Sequence, residues 1–300
     1  MKLTRRQMTG GIAALAVGAG ALPARTETTM QELPFAATTP VSIGRVGLMA
    51  RDADRVADYY KAILGLKELR RAGNVIGLGV ADREILEIEQ SAALREDDPR
   101  SAGLYHTAFL LPSRQDLARW TRHAIDRRIP VDGASDHSVS EAIYLTDPEG
   151  NGVEIYADRA PETWSFDGPS VRMGTQALNV PNLLDELLLV RDPEWAGAPD
   201  RTVIGHVHLR DGDVKAAEDW WNDQQGFDTM LNYGGQAVFL SSGGYHHHVG
   251  ANSWQSRGAG PRAADRTGLG FVELLSKEAT AESASRDPWG NEVRVLPAKG

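Results

Sequence analysis

The chain has no cysteine in its 300 residues. This excludes disulfides, thiolate catalysis and cysteine-held zinc or iron–sulfur centres, so any metal must be held by histidine and carboxylate. No block of lysine or arginine occurs beyond the first few residues, and the formal net charge is -9. Nothing forms the basic stripe that phosphates need, which argues against a nucleic-acid partner. Long apolar runs are missing as well. The one candidate, Gly10 to Leu22, is too short and too rich in glycine to span a bilayer as a helix.

That run follows Lys2, Arg5 and Arg6 and reads as an export signal over residues 1–24, with cleavage after Ala24. The Arg5–Arg6 pair resembles the bacterial twin-arginine signal, which implies a protein exported folded, periplasmic or secreted, with no stable membrane span after cleavage. A cytoplasmic protein with a loose start is the plain alternative. Residues 25–40 read as a disordered or extended lead. With 41% hydrophobic and 24% charged residues, the chain has a globular balance and enough length for two domains of ordinary size.

Internal repetition organises the rest. VSIGRVGLMARDADRVADYYKAILGL (41–66) and TVIGHVHLRDGDVKAAEDWWNDQQGF (202–227) share an order. Each gives a short strand, an Asp-rich turn, a helix with one apolar face, then Gly and a large apolar residue. A third copy starts at Gly103, with Ser113 as helix N-cap and Asp116 in the position of a capping-box partner. Each start is followed by material for three strands, giving β-α-β-β-β. A fourth copy, TGLGFVELL and DPWGNEVRVL, is cut short: 11 residues lie between Leu275 and Asp287, against 35 between Leu111 and Asp147. The expected fold is α+β, with tandem βαβββ modules forming curved, partly open mixed sheets around a metal cavity, the fourth module truncated. Modules 1 and 2 occupy 41–157, a linker 158–200, and modules 3 and 4 occupy 201–296.

Places where the repeats disagree are informative. In the first strand module 1 has Arg45, module 2 His106, module 3 His206 and module 4 Phe271; in the last strand module 2 has Glu154 and module 4 Arg294. Ligand-type residues thus concentrate in modules 2 and 3, and a site between them would hold His106, His206 and Glu154. Two imidazoles and a carboxylate form the facial set that leaves positions open on non-haem iron or manganese. The pairing puts module 1 with module 4. His246, His247 and His248 read as part of the last strand of module 3, where alternation places His247 on one face and its neighbours on the other. His247 is favoured as an acid/base group, with His248 the runner-up. His208 shares a face with His206. His137 is either a pocket residue or a loop histidine, and Tyr144 and Tyr156 either line a pocket or pack in the core. Trp220 and Trp221 read as core, and Trp254 as a shield for a planar ligand.

The repeats, the IGHVHL start, DPEGNGVEIY and GGYHHHVG together resemble the vicinal-oxygen-chelate superfamily of glyoxalase I, bleomycin-resistance proteins and type I extradiol dioxygenases, and within it a four-module catechol-2,3-dioxygenase-like branch. The resemblance covers about 41–296. It implies metal ligation by His106, His206 and Glu154, with Fe2+ or Mn2+ as the ion, O2 as co-substrate and a small aromatic diol as substrate. It also matches His246–His247 to the histidine doublet whose second member moves protons. It further implies ring opening beside the diol. Better-known members place the metal between modules 3 and 4, where Phe271 and Arg294 cannot ligate. Two alternatives accompany this reading: a glyoxalase-like isomerase or lyase, and a non-catalytic protein that binds a small molecule in the same cavity. A homo-oligomer is compatible with all three.

Overall fold

The structure, a computed structural model, describes residues 32–298; the export-signal expectation lies outside them. Module 1 comprises β1 (Val41–Ala50), α1 (Ala53–Leu64), β2 (Lys67–Ala72), β3 (Val75–Val80) and β4 (Arg83–Gln90). Module 2 comprises β5 (Gly103–Leu110), α2 (Arg114–Arg127), β6 (Gly133–Asp136), β7 (Ser140–Thr146) and β8 (Gly152–Asp158). The connection contains β9 (Phe166–Asp167), β10 (Ser170–Val171), β11 (Gln176–Ala177) and α3 (Val180–Asp185). Module 3 has β12 (Val203–Arg210), α4 (Val214–Gln225), β13 (Asp228–Tyr233), β14 (Ala237–Ser241) and β15 (Val249–Asn252). Module 4 keeps β16 (Gly268–Ser276), β17 (Ser283–Arg286) and β18 (Glu292–Pro297), without a helix.

The same local chemistry starts and stops each long helix. Asp52, Ser113 and Asp213 accept from backbone N–H groups of the first turn, which satisfies donors the helix cannot. Gly65 and Gly226 end α1 and α4 at φ of 72° and 66°, a left-handed conformation that glycine adopts without a Cβ clash. At α2, Asp116 meets Ser113 differently from a capping box: its carboxylate accepts from the Ser113 hydroxyl at 2.6 Å. The two Asp-Pro-x-Gly-Asn turns are built alike. Asp147 accepts from the backbone N–H of Glu149 and Asn151 and from Asn151 Nδ2, and Asp287 does the same with Trp289 and Asn291.

Two mixed sheets result. The first runs β17-β18-β16-β1-β4-β3-β2, and the second β11-β6-β7-β8-β5-β12-β15-β14-β13. Module 1 joins module 4 through antiparallel β1 and β16, and module 2 joins module 3 through antiparallel β5 and β12. The apolar faces of α1, α2 and α4 pack on these sheets around one large core that includes Tyr60, Trp120 and Trp221. Trp120 donates its indole N–H to the Ile63 carbonyl at 2.8 Å, tying α2 to α1. Trp221 belongs to this core and the half-buried Trp220 packs against it.

Several expectations need correction. The described part of the lead is ordered: Phe35–Ala37 forms a 3-10 turn with Ala36 buried in a second core cluster, and the Phe35 ring packs 6.0 Å from Trp164 and 5.9 Å from Tyr245. The segment 158–200 is more than a linker, because β11 extends the second sheet through β6 and α3 packs on α2. The histidine run is not strand. Gly243 and Gly244, at φ of 68° and 79°, turn the chain so that β15 begins only at Val249, and simple alternation does not apply to 246–248.

Candidate metal centre

Strand pairing brings the ligand-type residues together. Glu154 on β8 is opposite Ala108 on β5 in parallel register, two residues from His106, and β5 lies beside β12 with its His206. A break in register between Ile204 and His206 leaves Gly205 unpaired. A Cβ on Gly205 would collide with the Tyr156 hydroxyl, so glycine is what lets that tyrosine pass beneath the strand.

The three donor atoms converge. Glu154 Oε2 is 2.9 Å from His106 Nε2 and 3.1 Å from His206 Nε2, and the two imidazole nitrogens are 3.3 Å apart. Around an octahedral ion with bonds of about 2.1 Å, neighbouring donors lie about 3.0 Å apart, and around a tetrahedral one about 3.4 Å. The observed triangle therefore fits one face of an octahedron, with three positions left for other ligands. The protonation states fit too. Burial alone would raise the Glu154 carboxyl, yet the imidazoles of His206 and His106 outweigh it and hold it well below the ordinary value. Burial pushes His206 down to about 4, against the pull of Glu154. An ionised carboxylate beside a neutral imidazole is what a metal requires. His206 Nδ1 is buried without a partner.

The triad lies in a cavity of about 470 Å³ also lined by His247, Tyr144 and His137. Tyr144 stands opposite Glu154 in the β7–β8 register. Burial first, then the Glu154 charge, pushes its phenol well above the usual range, so it stays protonated. His137 Nε2 is 2.6 Å from the Tyr144 hydroxyl and its Nδ1 is 2.7 Å from the Gly174 carbonyl. The carbonyl can only accept, so Nδ1 carries the proton and Nε2 accepts from Tyr144. His137 thus lines the cavity from the loop between β6 and β7.

The histidine run divides three ways. The His247 ring packs 4.1 Å from that of His206, and burial, then the surrounding imidazoles, holds it neutral well below its usual value. His246 points the other way, with Nε2 2.8 Å from Asp158 and Nδ1 2.7 Å from His247 Nδ1. His248, the runner-up for acid/base work, is outside the cavity lining. Its Nε2 is 2.9 Å from the Ala36 carbonyl and its Nδ1 3.0 Å from Ser241 Oγ, so it ties the lead to module 3. Tyr156 is likewise core, sharing a 2.8 Å hydroxyl contact with Tyr245. Trp254, 45% exposed, stands at the cavity with Tyr105 and His208 edge-on or tilted against it.

In the first sheet the corresponding positions hold no ligands. Arg45 donates to Glu84, Glu87 and Glu273, at 2.6, 3.0 and 2.7 Å, and Arg294 stacks over Phe271 at 3.7 Å. A guanidinium thus occupies the position that ligands take in the other sheet.

The paired modules and the His–His–Glu face define the class. The chain belongs to the glyoxalase/bleomycin resistance protein/dioxygenase superfamily, whose family model matches residues 42–155. Within that superfamily it is a dioxygenase-like enzyme: it is 38% identical over 237 residues to catechol-2,3-dioxygenase of Bacillus subtilis, covering 78% of this chain and 82% of that one. Biphenyl-2,3-diol 1,2-dioxygenase 3 of Rhodococcus globerulus is 38% identical over 69 residues, 22% of this chain and 34% of that protein. Among solved structures, a putative dioxygenase from Bacillus subtilis superposes with a TM-score of 0.57 at 11% identity, over 87% of this chain and 86% of that one. Glyoxalase I from Zea mays gives 0.51 at 13% identity, over 87% and 94%. At these identities the likeness shows the fold.

Proposed function

We propose that this protein is an extradiol dioxygenase that opens the ring of a catechol-type aromatic, with Fe2+, or Mn2+ in its place, held by His106, His206 and Glu154. The observation that carries the reading is the triangle of three donor atoms, all within 3.3 Å of one another, at a cavity large enough for a substituted aromatic ring. The bound ion would supply a Lewis-acid and redox centre at which the two vicinal oxygens of the diol and O2 meet.

The chain's own groups handle the proton and the ring. Asp158 accepts only, so His246 Nε2 carries a proton and its Nδ1 accepts from His247 Nδ1–H. This leaves His247 Nε2 unprotonated and without a hydrogen bond, in the cavity, ready to take a proton from the diol and return it after ring opening. Tyr144, kept protonated, donates to His137 behind it, from where its hydroxyl can turn to donate to a bound diol at the edge of the triad. Trp254 and Tyr105 cover the cavity.

The glyoxalase-type reading is weaker here, because that chemistry favours a carboxylate-rich metal set and this site carries two imidazoles per carboxylate. The reading also includes export to the periplasm in the folded state, supported by the Arg5–Arg6 pattern and the apolar run behind it. The deciding experiment combines metal analysis of the purified protein with oxygen uptake on simple catechols, for wild type and His206→Ala. One ion per chain and catechol-dependent uptake, both lost in the variant, is the expected result. Full metal occupancy in the variant would overturn the ligand assignment, and a metal-loaded wild type inert toward catechols would overturn the reaction.

A further inference from the structure

Strand β12 departs from its repeats at two positions besides His206. His208 stands where modules 1 and 2 carry Gly47 and Ala108, and Arg210 where they carry Met49 and Leu110. Residues 206, 208 and 210 line the cavity together, as alternation along a strand requires. Neither departure is idle surface. His208 is 4% exposed and its Nε2 has no hydrogen-bond partner. Tyr105, Trp254 and Phe239 frame its ring at 5.2, 5.4 and 5.7 Å. Gly250 makes room for it, since a Cβ there would come within 2.9 Å of the imidazole.

Arg210 is 6% exposed, and its side chain makes one hydrogen bond, to Asp97. That carboxylate is shared: Arg262 Nε lies 3.9 Å from its other oxygen, and the remaining Arg262 nitrogens go to backbone carbonyls. Two guanidinium groups therefore face one carboxylate, with Arg210 in the cavity wall and Asp97 and Arg262 behind it, which leaves one positive charge over in a place where water is scarce. The other charged lining groups are Glu154, within the triad, and Asp132, exposed and accepting from Thr146. A buried imidazole without a partner next to an under-neutralised guanidinium is a site for an anion.

Position decides which anion. Strand rise of about 3.3 Å per residue places the Arg210 backbone roughly 13 Å from that of His206, so a molecule held at the metal presents its far end to His208 and Arg210. Resting on the function proposed above, we propose that Arg210 and His208 form a substituent subsite and that the substrate is a catechol carrying a carboxylate on a short ring substituent. Arg210 donates to the carboxylate, and His208 Nε2 makes the second hydrogen bond.

The test compares 3-(3,4-dihydroxyphenyl)propanoate with 4-propylcatechol, which has the same chain length without the charge. Wild type should show kcat/KM for ring opening at least tenfold higher for the acid, and Arg210→Met should reduce that ratio to twofold or less, with Arg210→Lys restoring part of it. A ratio near one in wild type, or an Arg210→Met variant that loses both substrates equally, overturns the subsite and leaves the dioxygenase reading intact. Calorimetric binding of 3-phenylpropanoate, which has the carboxylate and no diol, gives a readout independent of turnover. Binding that weakens at least tenfold in Arg210→Met supports the subsite even if no catechol is cleaved, a result that would overturn the reaction alone. No binding to wild type overturns the subsite.

Discussion

His246 and His247 share a single hydrogen bond, Nδ1 to Nδ1 at 2.7 Å, and Asp158 decides which of them supplies the proton. With its one proton held on Nε2 by the carboxylate, His246 accepts at Nδ1, so His247 donates from Nδ1 and presents a bare Nε2 to the cavity. Asp158→Asn removes that orientation without touching the triad. We expect kcat to fall about tenfold or more, with KM little changed and metal content equal to wild type. Steady-state kinetics with metal analysis reads this; an unchanged kcat would show that the tautomer of His247 does not matter.

Gly205→Ala would place a methyl group against the Tyr156 hydroxyl one residue from His206. The strand must shift, and the ligand with it. Metal affinity should drop on the order of 10- to 100-fold, the usual cost of disturbing the support behind a ligand. Titration of the apo-protein with Fe2+ or Mn2+ checks it, and affinity within threefold of wild type would sink the argument.

His248 gives the fold a pH dependence of known sign. An unfolded histidine titrates near 6.5, whereas burial pushes His248 down to about 3. Between these values the unfolded chain binds a proton that the native chain refuses. The stabilisation is thus fully present above pH 6.5 and is lost as pH falls toward 3, at about 1.4 kcal/mol per pH unit. In His248→Gln the slope of stability against pH from 6 to 4.5 should be shallower by about one proton. Urea unfolding across that range measures it; equal slopes would contradict the buried, neutral state of His248.

Arg45 is the cation at the heart of the first sheet, 21% exposed in its side chain. Replacing it by Met leaves Glu84, Glu87 and Glu273 with only Arg70 for compensation. Stability should fall by roughly 2–4 kcal/mol, read by urea unfolding. One metal per chain should remain. Loss of metal together with stability would mean that the two sheets are not independent in this respect.

The repeats made much of this readable in advance. A first strand with Arg, His, His and Phe at one position, and a last strand with Glu and Arg, separates a ligand-bearing pair of modules from a silent one without any second sequence. The start of α2 was equally plain, since Ser113 stands where a cap is needed, and the Asp-rich turns before α1 and α4 supply Asp52 and Asp213 for the same task. What stayed hidden depends on contacts that no spacing encodes. The three histidines at 246–248 look like strand, but two glycines with positive φ turn them into three separate directions. His248 holds the Phe35–Ala37 turn, and nothing in either segment announces the other. The roles of Asp158 and Arg210 likewise require partners 88 and 113 residues away.

The order of the strands in the chain also has a bearing on synthesis. The sheet that carries the triad, the short β11 at its edge included, is built from residues 103–252, one continuous stretch of sequence. Strand β1 is made before any of it, yet one of its two edges pairs with β16 near the other end of the chain. A nascent chain can therefore close around its metal ligands on the ribosome while β1 still offers an unpaired edge to its surroundings. The half without the triad is the half that finishes last, and its open edge is the one exposed longest.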